Sequence, residues 1–99
     1  MSKRPERNYQ PRVIREIETR LPGAMVFKGD TRYKQGCPDL IILYQDRWAM
    51  LQVKASEDEP FRPNQEYYLE TLDKMSYAAV IHPGNEEDIL NGLQQALEA

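Results

Sequence analysis

The sequence predicts an α/β fold, one mixed sheet flanked by helices, and three observations carry that prediction. Apolar residues recur at helical spacing in three separate stretches, around residues 5 to 21, 64 to 74 and from 85 onward. Four short apolar runs lie between them, at 24–28, 40–44, 48–54 and 77–82, each bounded by Gly, Pro or polar turn residues. The resulting order is helix, strand, strand, strand, helix, strand, helix. A helix joins the third strand to the fourth, so those two run parallel through a right-handed crossover, while the hairpin before them is antiparallel. At 99 residues the chain supports one core, and a single domain over 1–99 is expected, with residues 1–4 disordered.

Each element has a local reason. In the first helix Tyr9, Val13, Ile14, Ile17 and Leu21 form the apolar stripe, with Arg7, Arg12, Arg15 and Arg20 off it. Pro5 suits the first turn and Pro22-Gly23 ends the helix. Pro11 falls inside the pattern and cannot donate a backbone hydrogen bond. Either the helix begins near residue 11 or it kinks there, with its first turn carrying Glu6. The polar stretch 29–37, bounded by glycine, forms a loop, and strands 40–44 and 48–54 make a hairpin through Gln45-Asp46-Arg47. Asn64 is a good cap for a helix running to Lys74 with Tyr68, Leu69, Leu72 and Met75 inward. Pro83-Gly84 breaks the last strand and Asn85 caps the final helix. There Glu86, Glu87 and Asp88 occupy the first turn, where the dipole favours anions, and Ile89, Leu90, Leu93 and Leu97 form the buried stripe.

Composition narrows the function classes. Cys37 and His82 are the sole cysteine and histidine, so this chain alone builds neither a disulfide framework nor a Cys/His zinc site. No apolar run approaches the roughly 20 residues that span a bilayer. Met1 to Pro5 also lack the apolar stretch of a signal peptide, and a cytoplasmic protein without membrane contact is expected. Net charge is −3, unevenly spread: residues 1–54 hold 11 Lys/Arg against 6 Asp/Glu, and residues 55–99 hold 2 against 10. The basic half favours a polyanionic partner.

That half also contains Pro38-Asp39 before one strand and Gln52-Val53-Lys54 at the end of the next. Side chains alternate along a strand, so Gln52 and Lys54 share one face and Leu51 and Val53 the other. With Asp39 opposite Gln52, their Cβ atoms come within roughly 4.5–5.5 Å, and a slip of one residue would destroy the grouping. Mg²⁺ favours one or two carboxylates with water completing the octahedron, which makes Asp39 an anchor. Gln52 offers a neutral amide oxygen and Val53 a backbone carbonyl. Lys54 could orient or help deprotonate an attacking water and offset phosphate charge. Taken alone, Asp39 is an ordinary turn residue and Lys54 a solvated strand end.

Taken together, these residues resemble the PD-(D/E)XK nuclease superfamily, and within it the compact standalone VRR-NUC domains common in phages. The resemblance runs from about Glu6 to Ile81. It rests on Glu6-Arg7-Asn8-Tyr9-Gln10 opening the first helix, Gly36-Cys37-Pro38-Asp39-Leu40, Gln52-Val53-Lys54, and Gln65 opening the next helix. The implied fold is a restriction-endonuclease-like αβββαβ core with a C-terminal helix added.

The implied function is a Mg²⁺- or Mn²⁺-dependent DNA endonuclease, dimeric and acting on branched DNA such as Holliday junctions, in the host cytoplasm if phage-encoded. Asp39 and position 52 would bind metal, Lys54 would act at the nucleophile, Glu6 would support the metal or its water, and Gln65 would brace the site. Glu16 or Glu18 could take the place of Glu6. Arg7, Lys34 and Arg62 flank the motif segments and are candidates for phosphate contact. The departure is Gln52, where the family has Glu: a neutral amide in place of an anion weakens cation affinity, and a nuclease fold that only binds DNA or protein is the alternative.

Overall fold

The computed structural model describes residues 5–30 and 32–99; residues 1–4 and the side chains of residues 5–8, hence those of Glu6 and Arg7, lie outside the described residues. The elements are α1 (Pro5–Arg20), β1 (Met25–Lys28), β2 (Leu40–Tyr44), β3 (Arg47–Val53), α2 (Gln65–Met75), β4 (Tyr77–Ile81) and α3 (Glu86–Glu98). The sheet order is β1-β2-β3-β4. The first three strands are antiparallel neighbours, and β4 joins β3 in parallel, so the sheet is mixed as the α2 crossover demands.

Pro11 does not delay α1, which runs through it. The stripe of Tyr9, Val13, Ile17 and Leu21 is buried and anchors the helix to the sheet, outweighing the one missing hydrogen bond. Leu40 and Ile42 of β2, Ala49, Leu51 and Val53 of β3, and Ile81 of β4 face the same core, as do Leu90, Leu93 and Leu97 of α3. By strand alternation Met50 and Ala78 point to the opposite face, where α2 lies. Asp73 of α2 accepts a hydrogen bond from the Ala78 N–H at 3.0 Å.

Three local expectations need correction. The hairpin turn is two residues long, Gln45 and Asp46, because Arg47 already pairs with Tyr44. Gln45 takes a φ of 57°, the left-handed conformation such short turns require. Asn64 and Asn85 precede their helices without capping them through their side chains. Asn64 has a φ of 71°, and its amide donates to the Gln35 carbonyl at 3.4 Å. Asn85 instead ties the preceding turn to the sheet, accepting from the His82 N–H at 2.8 Å and donating to the Val80 carbonyl at 3.0 Å. Met75 is 67% exposed because α2 ends there and the chain turns into β4.

The segregated charges meet each other. Glu86 accepts from the Tyr9 hydroxyl at 3.0 Å and from the Arg12 guanidinium at 2.6 Å, while Arg20 reaches Glu87 and Asn91, both at 2.9 Å. Part of the positive charge of the first half is therefore answered inside the molecule. No described helix is long and apolar enough to cross a membrane.

Candidate active site

Asp39 owes its position to both neighbours of β2. Its carbonyl accepts from the Gly29 N–H at 2.7 Å, just past the end of β1. On the other side the β2–β3 register pairs Leu40 with Leu51, which sets Asp39 beside Gln52. The Asp39 Oδ2 accepts from the Gln52 Nε2 at 2.6 Å and from the Val53 N–H at 2.8 Å. Val53 thus meets Asp39 through its N–H.

Gln52 and Lys54 lie on one face of the strand, each 3% exposed. A buried ammonium is tolerable only when its donors are satisfied. Two of the three are: the Lys54 Nζ donates to the Pro60 carbonyl at 3.0 Å and to the Gln65 Oε1 at 2.8 Å. The same Gln65 oxygen accepts from the Arg62 N–H at 2.7 Å, so this side chain couples the start of α2, the loop before it and Lys54. The ammonium also faces the Glu59 Oε2 at 3.9 Å and the Phe61 ring, 5.4 Å from its centroid.

A cleft of about 320 Å³ collects these groups, lined by Asp39, Gln52, Lys54 and Gln65 together with Glu59 and Arg62. Its wall depends on Gly36. That residue has a φ of 92°, and a Cβ there would sit 2.7 Å from both the Asn64 Cβ and the Pro63 carbonyl oxygen. Burial is the main influence raising the Asp39 carboxyl above its usual range; the Val53 N–H, Lys54 and Arg62 pull it down, and Glu59 adds to the rise. Burial likewise raises the Cys37 thiol, helped by Asp39 and Asp30, so its thiolate is disfavoured.

The structure thus brings together Asp39, Gln52, Lys54, Gln65 and Arg62. Lys34 lies apart from them, over the rings of Tyr33 and Tyr68 and beside an apolar groove that includes Cys37, Met50 and Met75. Glu16 pairs with Arg20, and neither Glu16 nor Glu18 lines the cleft. The sequence reading passed over Glu59 and the Pro60 carbonyl. Both belong to a loop after β3, where no periodicity tells which side chains turn inward.

The donor set fits a hard cation in part. Among the described residues no three Asp, Glu, His or Cys side chains gather closely enough to hold a metal. Yet Gln52 Oε1 is buried without a hydrogen-bond partner among the described residues, an expensive state for a polar atom unless a ligand relieves it. One carboxylate with one amide oxygen suits Mg²⁺ or Mn²⁺, with less anionic charge than two carboxylates provide; here the amide turns its nitrogen, not its oxygen, to Asp39.

The mixed sheet, its crossover and the flanking helices make an α/β domain, with the cleft at the start of β2 and the end of β3. Among solved structures the chain is similar to a protein described as "VRR_NUC domain protein", with a TM-score of 0.67 and 18% sequence identity over 99% of this chain and 92% of that one. The mixed four-stranded sheet with flanking helices and a C-terminal helix is therefore a VRR-NUC-like nuclease fold. No protein-family model and no curated protein matches the chain.

Proposed function

We propose that this chain is a Mg²⁺- or Mn²⁺-dependent, structure-specific DNA endonuclease that hydrolyses phosphodiester bonds in branched DNA such as Holliday junctions. The observation that carries the reading is the meeting of Asp39, Gln52 and Lys54 in one cleft of a nuclease-type fold. Asp39 and the unpartnered Gln52 Oε1 would hold the cation, with the Val53 carbonyl and Glu6 as further oxygen donors. A bound divalent cation supplies charge neutralisation at the phosphate and lowers the pKa of water. Lys54, held by Gln65 and Pro60, directs its remaining donor at the attacking water or a phosphate oxygen. Arg62 at the cleft, with Lys34 and Arg7 further out, would contact the DNA backbone. We assign the protein to the cytoplasm, the host's if it is phage-encoded, and to a homodimer, as expected of a standalone nuclease domain acting on a two-fold junction.

The test is cleavage of a four-way junction and of linear duplex in Mg²⁺ and in Mn²⁺ by the native chain, Lys54→Ala and Gln52→Glu. Metal-dependent nicking of the junction, abolished in Lys54→Ala, is the expected result. A folded, metal-binding Gln52→Glu protein that leaves every substrate intact contradicts the proposal.

One observation favours a second reading, a nuclease fold retained for binding DNA or protein. Gln52 Nε2 satisfies Asp39 by itself at 2.6 Å, without a cation. Calorimetry separates the two, since the binding-only protein shows no Mn²⁺ uptake that Asp39→Ala removes.

A further inference from the structure

Glu59 sits in the loop between β3 and α2, and its side chain lines the same cleft as Asp39 and Gln52. Its two oxygens differ in their engagements. Oε1 accepts from the Ala55 N–H at 2.9 Å, which fixes the side chain across the loop. Oε2 lies 3.9 Å from the Lys54 Nζ, an ion pair too long for a hydrogen bond, and accepts none among the described residues. The loop that carries it is pinned by Lys54 on the Pro60 carbonyl and by Gln65 on the Arg62 N–H.

The cleft therefore holds two carboxylates, those of Asp39 and Glu59. Like charges in a half-closed site repel, and a divalent cation between them turns that repulsion into coordination. Independently, Gln52 Oε1, in a side chain 3% exposed on the same cleft, has no hydrogen-bond partner among the described residues. A carboxylate, a second carboxylate and an amide oxygen make a hard-donor set matched to Mg²⁺ or Mn²⁺. We infer that Glu59 is the second anionic ligand of the divalent-cation site, taking the place of the carboxylate that position 52 lacks. This rests on the metal-dependent reading above, and it places the missing charge on the loop after the strand that would otherwise carry it.

Calorimetric titration of Mn²⁺ into the native protein, Glu59→Gln, Asp58→Asn, Asp39→Ala and the double variant Gln52→Glu/Glu59→Gln tests it, with a thermal melt of each to confirm folding. Glu59→Gln keeps an acceptor for the Ala55 N–H while removing the charge. It is expected to weaken Mn²⁺ binding roughly tenfold or more. The double variant is expected to return to near the native affinity, because it moves the carboxylate back to the strand. Asp58 is exposed and does not line the cleft, so Asp58→Asn should bind as the native protein does.

Native affinity in Glu59→Gln, alongside loss in Asp39→Ala, overturns the role of Glu59 and leaves the metal-dependent reading standing. A loss in Glu59→Gln that the double variant does not restore, or that Asp58→Asn shares, makes Glu59 a loop anchor or a diffuse charge and also overturns it. Absence of Mn²⁺ binding in the native protein overturns both the role of Glu59 and the metal-dependent reading.

Discussion

Burial raises the Asp39 carboxyl, and the Val53 N–H, Lys54 and Arg62 offset only part of that effect. A folded-state value above the ordinary 3.8 means that the native state favours the protonated form. The contribution of Asp39 to stability is thus fully present below that value and is lost as pH rises through the folded one. Asp39→Asn keeps an acceptor for the Val53 N–H and has no charge to bury. Its melting temperature should rise relative to the native protein between acid and neutral pH, and a gap that narrows over a pH series of melts would contradict this.

Gly36 is constrained twice, by its φ of 92° and by the closeness of Pro63 and Asn64. Gly36→Ala should cost about 1–3 kcal/mol, read from denaturant midpoints at constant slope. Lys54→Ala removes a buried charge whose partners remain, and should reduce cleavage by about 10²-fold or more in a single-turnover assay.

At the scale of elements, α1 is held by its buried stripe and by the Arg12–Glu86 and Arg20–Glu87 pairs to α3. Pro11 is exposed and deprives the helix interior of one hydrogen bond. Pro11→Ala should therefore stabilise the protein by about 1–3 kcal/mol, measured by chemical unfolding, and a destabilised variant would mean that Pro11 has a packing role.

The element order was legible because apolar periodicity switches cleanly between helix and strand, and because the register that places Asp39 beside Gln52 survives the one-residue shortening of the hairpin turn. The capping roles of Asn64 and Asn85 were not legible. An Asn before a helix serves equally as a turn residue, and the choice depends on Gln35 and Val80, which are distant in sequence or on another element. Glu59 was hidden for a related reason. Its position is set by the Ala55 N–H and the Pro60 and Arg62 contacts of an irregular loop, for which sequence offers no period to count.

Over the whole molecule, the uneven charge of the two halves loses much of its apparent meaning, since Arg12 and Arg20 answer acids of α3. The positive charge left at the cleft is modest, chiefly Arg62 and Lys54, with Lys34 further out over Tyr68. The salt dependence of DNA binding should accordingly be shallow, with a log–log slope of about −2 to −3 in fluorescence anisotropy across a salt series. A slope several times steeper would require a basic surface beyond these residues.

At position 52 the amide holds the geometry of Asp39 while supplying no anion. The most direct measurement is the single-turnover cleavage rate of a four-way junction in Mn²⁺ by Gln52→Glu beside the native chain. Gln52→Glu is expected to cleave faster and in a metal-dependent way, with the same strand positions cut and all cleavage lost on adding Lys54→Ala. A folded Gln52→Glu protein that binds Mn²⁺ and the junction yet cuts nothing would contradict it.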